Sequence, residues 1–269
     1  MSSKCASAFA WFPSVFMKLT FALHVLIAVM IIVRPHLWPW ALGCFVVNHL
    51  LITAGGLSPR ASLLGPVVTR LPATARDKGL VAITIDDGPD PEVTPKVLDV
   101  LDQFRARATF FCPGDRVLAC PDLSREIIRR GHTIENHSLH HRYLFSLLGP
   151  WAMTREVRGG QEAITAVVGR RPSCFRAPAG FRNPFLEPIL ERLGLCLVSW
   201  TRRGFDTVER NPDKVCQRLL RGLSAGDILL LHDGRAARTA DGAPVILAVL
   251  PRLLGAIEKA GLRTTSLET

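Results

Sequence analysis

Two adjacent carboxylates, Asp86 and Asp87, stand directly after the apolar run Leu80-Val81-Ala82-Ile83, with Gly88-Pro89 behind them. A strand turns alternate side chains to opposite faces, so paired Asp residues at its end can take different tasks. One can hold a metal while the other handles protons. Asp, Gly and Pro are also ordinary turn residues, and alone this string reads as a surface turn. Its company reverses that. His132, His137, His140 and His141 follow, and His232 ends a further apolar run. His137 and His141 are four apart, so one helical turn would set both imidazoles on the same side. With one carboxylate they give a two-His-one-Asp set that leaves a position open for water, as catalytic zinc sites require. His132 and His140 do not share that face and read as structural or solvent-facing.

These residues need a scaffold that brings them together. From Leu80 onward the pattern is strand, turn, helix, repeated. Strands are expected near residues 81–85, 108–112, 132–135, 173–176, 195–200, 228–231 and 262–267. Helices are expected near 95–104, 123–130, 154–168, 184–193, 212–223 and 245–260. Such alternation implies βαβ units and a parallel sheet. About seven units predict an α/β fold, a distorted (β/α) barrel rather than an open doubly wound sheet. Asp86, Asp87, His137, Arg176, residues 200–206 and His232 then fall at or just past strand C-termini. That is the face on which β/α barrels assemble their sites. No GxGxxG or P-loop string occurs, which argues against nucleotide binding.

The chain is 269 residues long and 48% hydrophobic, and the excess is concentrated at the front. Residues 19–33 form an uncharged apolar run carrying His24. After Arg34-Pro35-His36 comes a second run, 37–57, interrupted by Asn48 and His49. The second is about the length that crosses ~30 Å of hydrocarbon. A signal peptide would need small residues at a cleavage site, and Arg34-Pro35-His36-Leu37 offers none. A transmembrane helical hairpin is therefore expected over residues 1–58, followed by a linker at 59–79 and a catalytic domain at 80–269. Lys4 and Lys18 precede the first run, Arg34 lies between, and Arg60, Arg70, Arg76 and Lys78 follow the second. By the positive-inside rule this describes a multi-pass protein of the inner (cytoplasmic) membrane with its domain on the cytoplasmic side.

Seven cysteines at irregular spacing, none in CxxC, suggest reduced thiols rather than a disulfide framework or a thiolate zinc site. The net charge of +10 is spread along the chain, with no basic run interleaved with aromatics and a single Tyr. No nucleic-acid partner is expected. Proximity to anionic head groups of the lipid bilayer, or to phosphate-bearing lipid carriers, fits better.

Four motifs in order carry a family resemblance: Thr84-Ile85-Asp86-Asp87-Gly88-Pro89, His137-Ser138-Leu139-His140-His141, Arg176-Ala177-Pro178-Ala179-Gly180 and Leu231-His232, with Thr109-Phe110-Phe111 as a second-strand match. The chain resembles, over roughly residues 80–267, the polysaccharide deacetylases of the NodB-homology type, carbohydrate esterase family 4. The resemblance implies that Asp87, His137 and His141 bind a divalent metal, usually zinc (Zn2+). It also implies that Asp86 is the general base, that Arg176 pairs with Asp86, and that His232 protonates the departing amine with support from Asp206. This chemistry is consistent, because a metal acidifies water and polarises an amide carbonyl while an amine leaves poorly as an anion.

Two departures from the family pattern stand out. Ala179 replaces a common Tyr, removing an aromatic wall while keeping any backbone N–H for an oxyanion. In Trp200-Thr201-Arg202-Arg203-Gly204-Phe205-Asp206-Thr207, Arg203 and Thr207 replace an Asp and a Trp. The added Arg202-Arg203 pair suits an anionic group on the substrate. The expected activity is metal-dependent removal of an N-acetyl group from an amino sugar in a membrane-associated or lipid-linked glycan. The alternatives are deformylation of an undecaprenyl-linked amino sugar, and a catalytically silent glycan- or lipid-binding protein on the same fold.

Overall fold

A computed structural model of the chain describes residues 13–267. The central strand β1 (Leu80–Asp86) is buried almost throughout, as expected of a parallel strand covered on both faces. Around it lie β2 (Ala108–Cys112), β3 (Thr133–Asn136), β4 (Cys174–Phe175), β5 (Cys196–Leu197), β6 (Arg202–Arg203), β7 (Ile228–His232) and β8 (Arg263–Thr265). Their order is β5-β4-β3-β2-β1-β7-β6, all parallel, with β8 pairing the first half of β1. This is the expected (β/α) architecture as a curled, open half-barrel. Between β5 and β7 the curl is bridged by the segment ahead of β1: Val68 pairs with Val198 and Arg70 with Asp227.

Alternation along the strands divides two cores. Val81, Ile83 and Ile85 face outward, beneath helices Thr94–Gln103 and Val245–Lys259. The latter helix buries Val245, Ile246, Val249, Leu250, Leu253, Leu254 and Ile257, an i, i+3, i+4 stripe. Ala82, Phe111, Ile228 and Leu230 face the inside of the curl, with Trp200. Asp86 and His232 lie on the same inner alternation, and the register sets them side by side. Helix Pro150–Val168 starts on Pro and stops at Gly169, whose φ of 72° closes the C-terminus.

The expected helices at residues 95–104, 154–168 and 245–260 form nearly where their periodicity puts them. Four strands differ, β8 keeping only Arg263–Thr265 of the expected 262–267. β4 and β5 shrink to two residues each, and β6 forms over Arg202–Arg203 where no strand was expected. A parallel ladder this short carries no alternation to read. Residues 59–79 hold a short helix, Ala73–Asp77, and bury Leu64, Leu71 and Ala75 against the domain.

At the front, helices Val15–Val33 and Trp38–Gly56 are each 19 residues long. They pack together, with Thr20 Oγ1 donating to Asn48 Oδ1 at 3.1 Å, and both are long and apolar enough to cross a membrane. No disulfide joins the described cysteines.

Candidate active site

Asp86, Asp87, His137, His141 and His232 converge on a cleft of about 520 Å³ at the C-terminal ends of the strands. β1 delivers the two carboxylates. Asp86 ends the strand in the inward register, while Asp87 sits in the left-handed region at φ 75°, which swings its side chain beside that of Asp86. For a non-glycine residue this conformation costs about 1–3 kcal/mol and persists only where the surroundings impose it. Here they do. A Cβ on Gly88 would lie 2.4 Å from the Asp233 carboxylate, and one on Gly234 would lie 2.1 Å from the Asp87 carbonyl oxygen.

His137 and His141 meet, but not through a helical turn. After β3 the chain runs as a loop in which Ser138 and His141 adopt φ 69° and 47°. The Ser138 N–H donates to Asn136 Oδ1, and the His141 N–H to Ser138 Oγ. Buried Glu156 pins the outer side by accepting from the His140 N–H and ring and from Arg142 Nε. A helix would have left the tethering Ser138 and Asn136 groups no such role. Spacing alone could not reveal a loop fixed by a Glu156 side chain 14 and 16 residues beyond its partners. His140 is thus structural, as is His132, which is buried and accepts from the Ala108 N–H.

The donor chemistry fits a metal. The ligand atoms of Asp87, His137 and His141 lie within 4.8 Å of one another. His137 Nδ1–H donates to the Arg176 carbonyl at 2.8 Å, so its Nε2 lone pair faces the Asp87 carboxylate, 3.6 Å away. His141 Nε2 stands 3.1 Å from the same oxygen. Burial, then the neighbouring His141, pull His137 down to about 3, and burial likewise lowers His141. The Nε2 atoms of two imidazoles and a carboxylate therefore converge on one point. Asp87 Oδ1 is buried and has no hydrogen-bond donor. Such a donor set suits a divalent cation.

On the other side, Arg176 is buried, with its guanidinium 4.1 Å from the Phe111 ring centre. It donates to Asp86 Oδ1 at 2.6 Å, to Thr84 Oγ1 at 2.8 Å and to the Ser199 carbonyl at 3.0 Å. This fixes one Asp86 oxygen and leaves the other 3.8 Å from His137 Nε2. Asp206, fully buried, accepts from both the His232 N–H at 2.7 Å and its Nδ1 at 2.9 Å. Burial pulls the His232 imidazole down, but Asp206, followed by Asp86 and Asp87, outweighs it and raises it to about 9. His232 is thus held as a cation with Nε2 free of that pair.

The Arg202-Arg203 expectation divides. Arg202 is spent on Asp227 and on the Arg221 and Gly222 carbonyls, away from the cleft. Asp227 is completely buried and draws the nearest guanidinium. Arg203 does line the cleft, against the Trp200 and Phe205 rings, with Ala179 and Thr207 also on its wall. Tyr143 and Arg235 line it too, the guanidinium 5.0 Å from the ring centre. Neither was legible in the sequence, since each sits in a loop without pattern. Buried Asp233, next to His232 in the sequence, was also missed. It accepts from Thr94 Oγ1, and burial pushes it up to about 7.

A curled parallel sheet with an Asp-Asp strand end, a His pair and an Asp-backed His defines a hydrolase of the NodB-like class. The polysaccharide deacetylase profile matches residues 73–198. A peptidoglycan-N-acetylglucosamine deacetylase of Bacillus cereus is 33% identical over 68% of this chain and 84% of its own length. A chitooligosaccharide deacetylase of Bradyrhizobium is 33% identical over 67% of this chain and 85% of its own. The crystallised family 4 carbohydrate esterase of Streptomyces lividans, in complex with acetate, superposes with a TM-score of 0.62. It is 32% identical, with 69% of this chain and 91% of that one covered. The chain belongs to the polysaccharide deacetylase family.

Proposed function

We propose that the protein is a metal-dependent carbohydrate N-deacetylase. The observation that carries this is the convergence of Asp87, His137 and His141 beside an Arg-held Asp86 and an Asp-held His232. Asp87, His137 and His141 would hold the ion, and we assign zinc on the donor set of two imidazoles and one carboxylate. When bound, the cation acidifies water and polarises the amide carbonyl. Asp86, aimed by Arg176, accepts the proton of the attacking water. His232, kept charged by Asp206, donates from Nε2 to the amine nitrogen as the C–N bond breaks. Acetate and a free amino sugar leave. The names of the B. cereus and Bradyrhizobium relatives support an N-acetylated amino-sugar glycan as substrate.

We assign the substrate more narrowly to a membrane-associated or lipid-linked glycan. Residues 1–58 form the membrane region in this reading, 59–79 connect it and 80–269 carry catalysis, on the cytoplasmic side of the inner membrane. The hairpin supports this by exposing Phe21, Ile32, Leu50 and other large apolar side chains. The connector supports it by meeting the cleft wall: a Cβ on Gly180 would lie 2.9 Å from Pro59 and 2.7 Å from Trp200. Arg203 offers a partner for a phosphate between sugar and lipid.

The test is acyl release by the full chain, stripped of metal and reloaded with zinc, from N-acetylated oligosaccharides and polyprenyl-phosphate-linked sugars. Acetate release, faster from the lipid-linked set, is expected. Formate in its place would make the protein a deformylase. Equal rates on both sets would remove the lipid-linked assignment. A C-terminal reporter fusion reads the side of the membrane.

A further inference from the structure

We propose that residues 143–151 seat in the head-group region of the bilayer, so that the cleft opens at the membrane surface. The sugar then enters while its lipid stays behind. This rests on the reading of the hairpin as membrane-spanning and adds to it the orientation of the catalytic domain.

One near end of the hairpin touches the connector and the other touches the domain. Ser14 Oγ donates to the Leu63 carbonyl at 2.7 Å, and the Arg182 N–H to the Gly56 carbonyl at 3.0 Å. The second contact has no slack. A Cβ on Gly56 would lie 2.4 Å from the Arg182 carbonyl oxygen, and Arg182 is buried and donates to the Ala61 carbonyl. The next residue, Asn183, donates through Nδ2 to the Ser146 and Leu148 carbonyls, each at 2.9 Å. A short chain of hydrogen bonds therefore ties the end of the second helix to this loop, which places the loop near the level where that helix leaves the membrane.

The loop is built for such a position. It buries Phe145 and turns out Tyr143, Leu144, Leu147 and Trp151, which are 66–86% exposed. A clustered apolar surface of this kind marks an interaction site. Tyr143 also lines the cleft, so the exposed ridge is the rim of the site. Arg155 and Arg158 follow Trp151 by four and seven residues in helix Pro150–Val168 and are exposed on the same face. Exposed guanidiniums beside an apolar ridge suit a surface of anionic lipid head groups. At the far turn of the hairpin, Trp38 and Trp40 are exposed. Nineteen residues at about 1.5 Å each span roughly 28 Å, close to the hydrocarbon thickness. Aromatic residues gather at both faces of a bilayer, and Tyr143 and Trp151 supply the near face here.

The experiment uses the full chain in nanodiscs containing phosphatidylglycerol and brominated phosphatidylcholine. Emission is compared between the native chain and Trp151→Phe, and between the native chain and a Trp38→Phe/Trp40→Phe variant. Quenching of the Trp151 component by bromolipid is expected. In parallel, Leu147→Asp/Trp151→Asp should lose about tenfold or more in turnover of a lipid-linked N-acetylated sugar, while turnover of a short soluble N-acetylated oligosaccharide changes less than about twofold. Quenching at Trp38 and Trp40 with Trp151 unquenched overturns the proposal and leaves the hairpin intact. No quenching at any of the three removes the spanning hairpin itself. Equal loss on both substrates also overturns the proposal, because the loop would then only shape the cleft. A Trp151 blue shift without bromolipid quenching does so too, and marks a protein partner instead.

Discussion

Asp206→Asn should uncouple the charge of His232 from the fold, and the effect has a sign that can be worked out. His232 rises from 6.5 to about 9 in the metal-free protein, with burial opposing and Asp206 leading the causes that raise it. A separation of one pH unit between folded and unfolded titration is worth about 1.4 kcal/mol. The rise therefore contributes about 3 kcal/mol. Because the folded value lies above the unfolded one, this stability is fully present below pH 6.5 and is lost as pH climbs through about 9. Asparagine keeps the shape and removes the leading charge, so that burial pulls the imidazole down against Asp86 and Asp87 alone. The expected result is a melting temperature about 6–12 °C below the native chain at pH 6, with the gap narrowing steeply towards pH 10. The measurement is thermal unfolding of both metal-free proteins across that range. Taking the difference matters, because burial pushes Glu135, Asp233 and Glu187 up to about 7 as well, and these cancel between the two chains. A gap that stays constant from pH 6 to pH 10 would refute the reasoning, since only the hydrogen-bond geometry would then have been lost. In the zinc-loaded enzyme the ion offsets Asp86 and Asp87 but not Asp206. Asp206→Asn should therefore still lower kcat about 10²–10⁴-fold and bring the alkaline fall in rate to lower pH.

Arg176→Gln should destabilise the chain by about 3–5 kcal/mol, because it strands Asp86 in the buried interior without its partner, and thermal unfolding reads this directly. His141→Gln and Asp87→Asn should each weaken zinc binding by about tenfold or more, measured by competition with a chromogenic chelator and independent of turnover. Gly234→Ala should disturb the same ion without replacing a ligand, since its new Cβ has to displace the Asp87 backbone. Lower zinc affinity together with about 1–3 kcal/mol of lost stability is expected. Arg203→Gln should raise KM about tenfold for a phosphate-linked sugar and leave a neutral oligosaccharide unchanged, whereas Arg202→Gln should lower stability and leave both KM values alone, because Arg202 serves Asp227.

The long elements were legible because burial writes a period into them. β1 and β7 are mostly apolar segments closed by Asp86 and His232, and helix Val245–Lys259 repeats its core residues every three or four positions. β4 and β5 were located but not their two-residue extent, and β6 was not foreseen, since two residues carry no period and are set by neighbours. The site shows the same division. Asp86, Asp87, His137, His141, Arg176, Asp206 and His232 stood out by residue type and motif order, and the fold brings all seven to one end of the sheet. How His137 and His141 meet did not stand out, because loop strain at Ser138 and His141 and the reach of Glu156 are tertiary facts. Arg202 shows the opposite failure. A charge in a motif suggested a ligand, but a buried Asp227 from a neighbouring turn claimed it.

The central claim is that this cleft hydrolyses an N-acyl amino sugar with Asp86 taking the proton. Acetate release by the zinc-loaded full chain, set beside Asp86→Asn containing the same amount of zinc, tests it most directly. The account predicts acetate from the native chain and a rate at least about 10²-fold lower from the variant. Equal rates from the two, or bound glycan with no acyl release from the native chain at full zinc content, would contradict it.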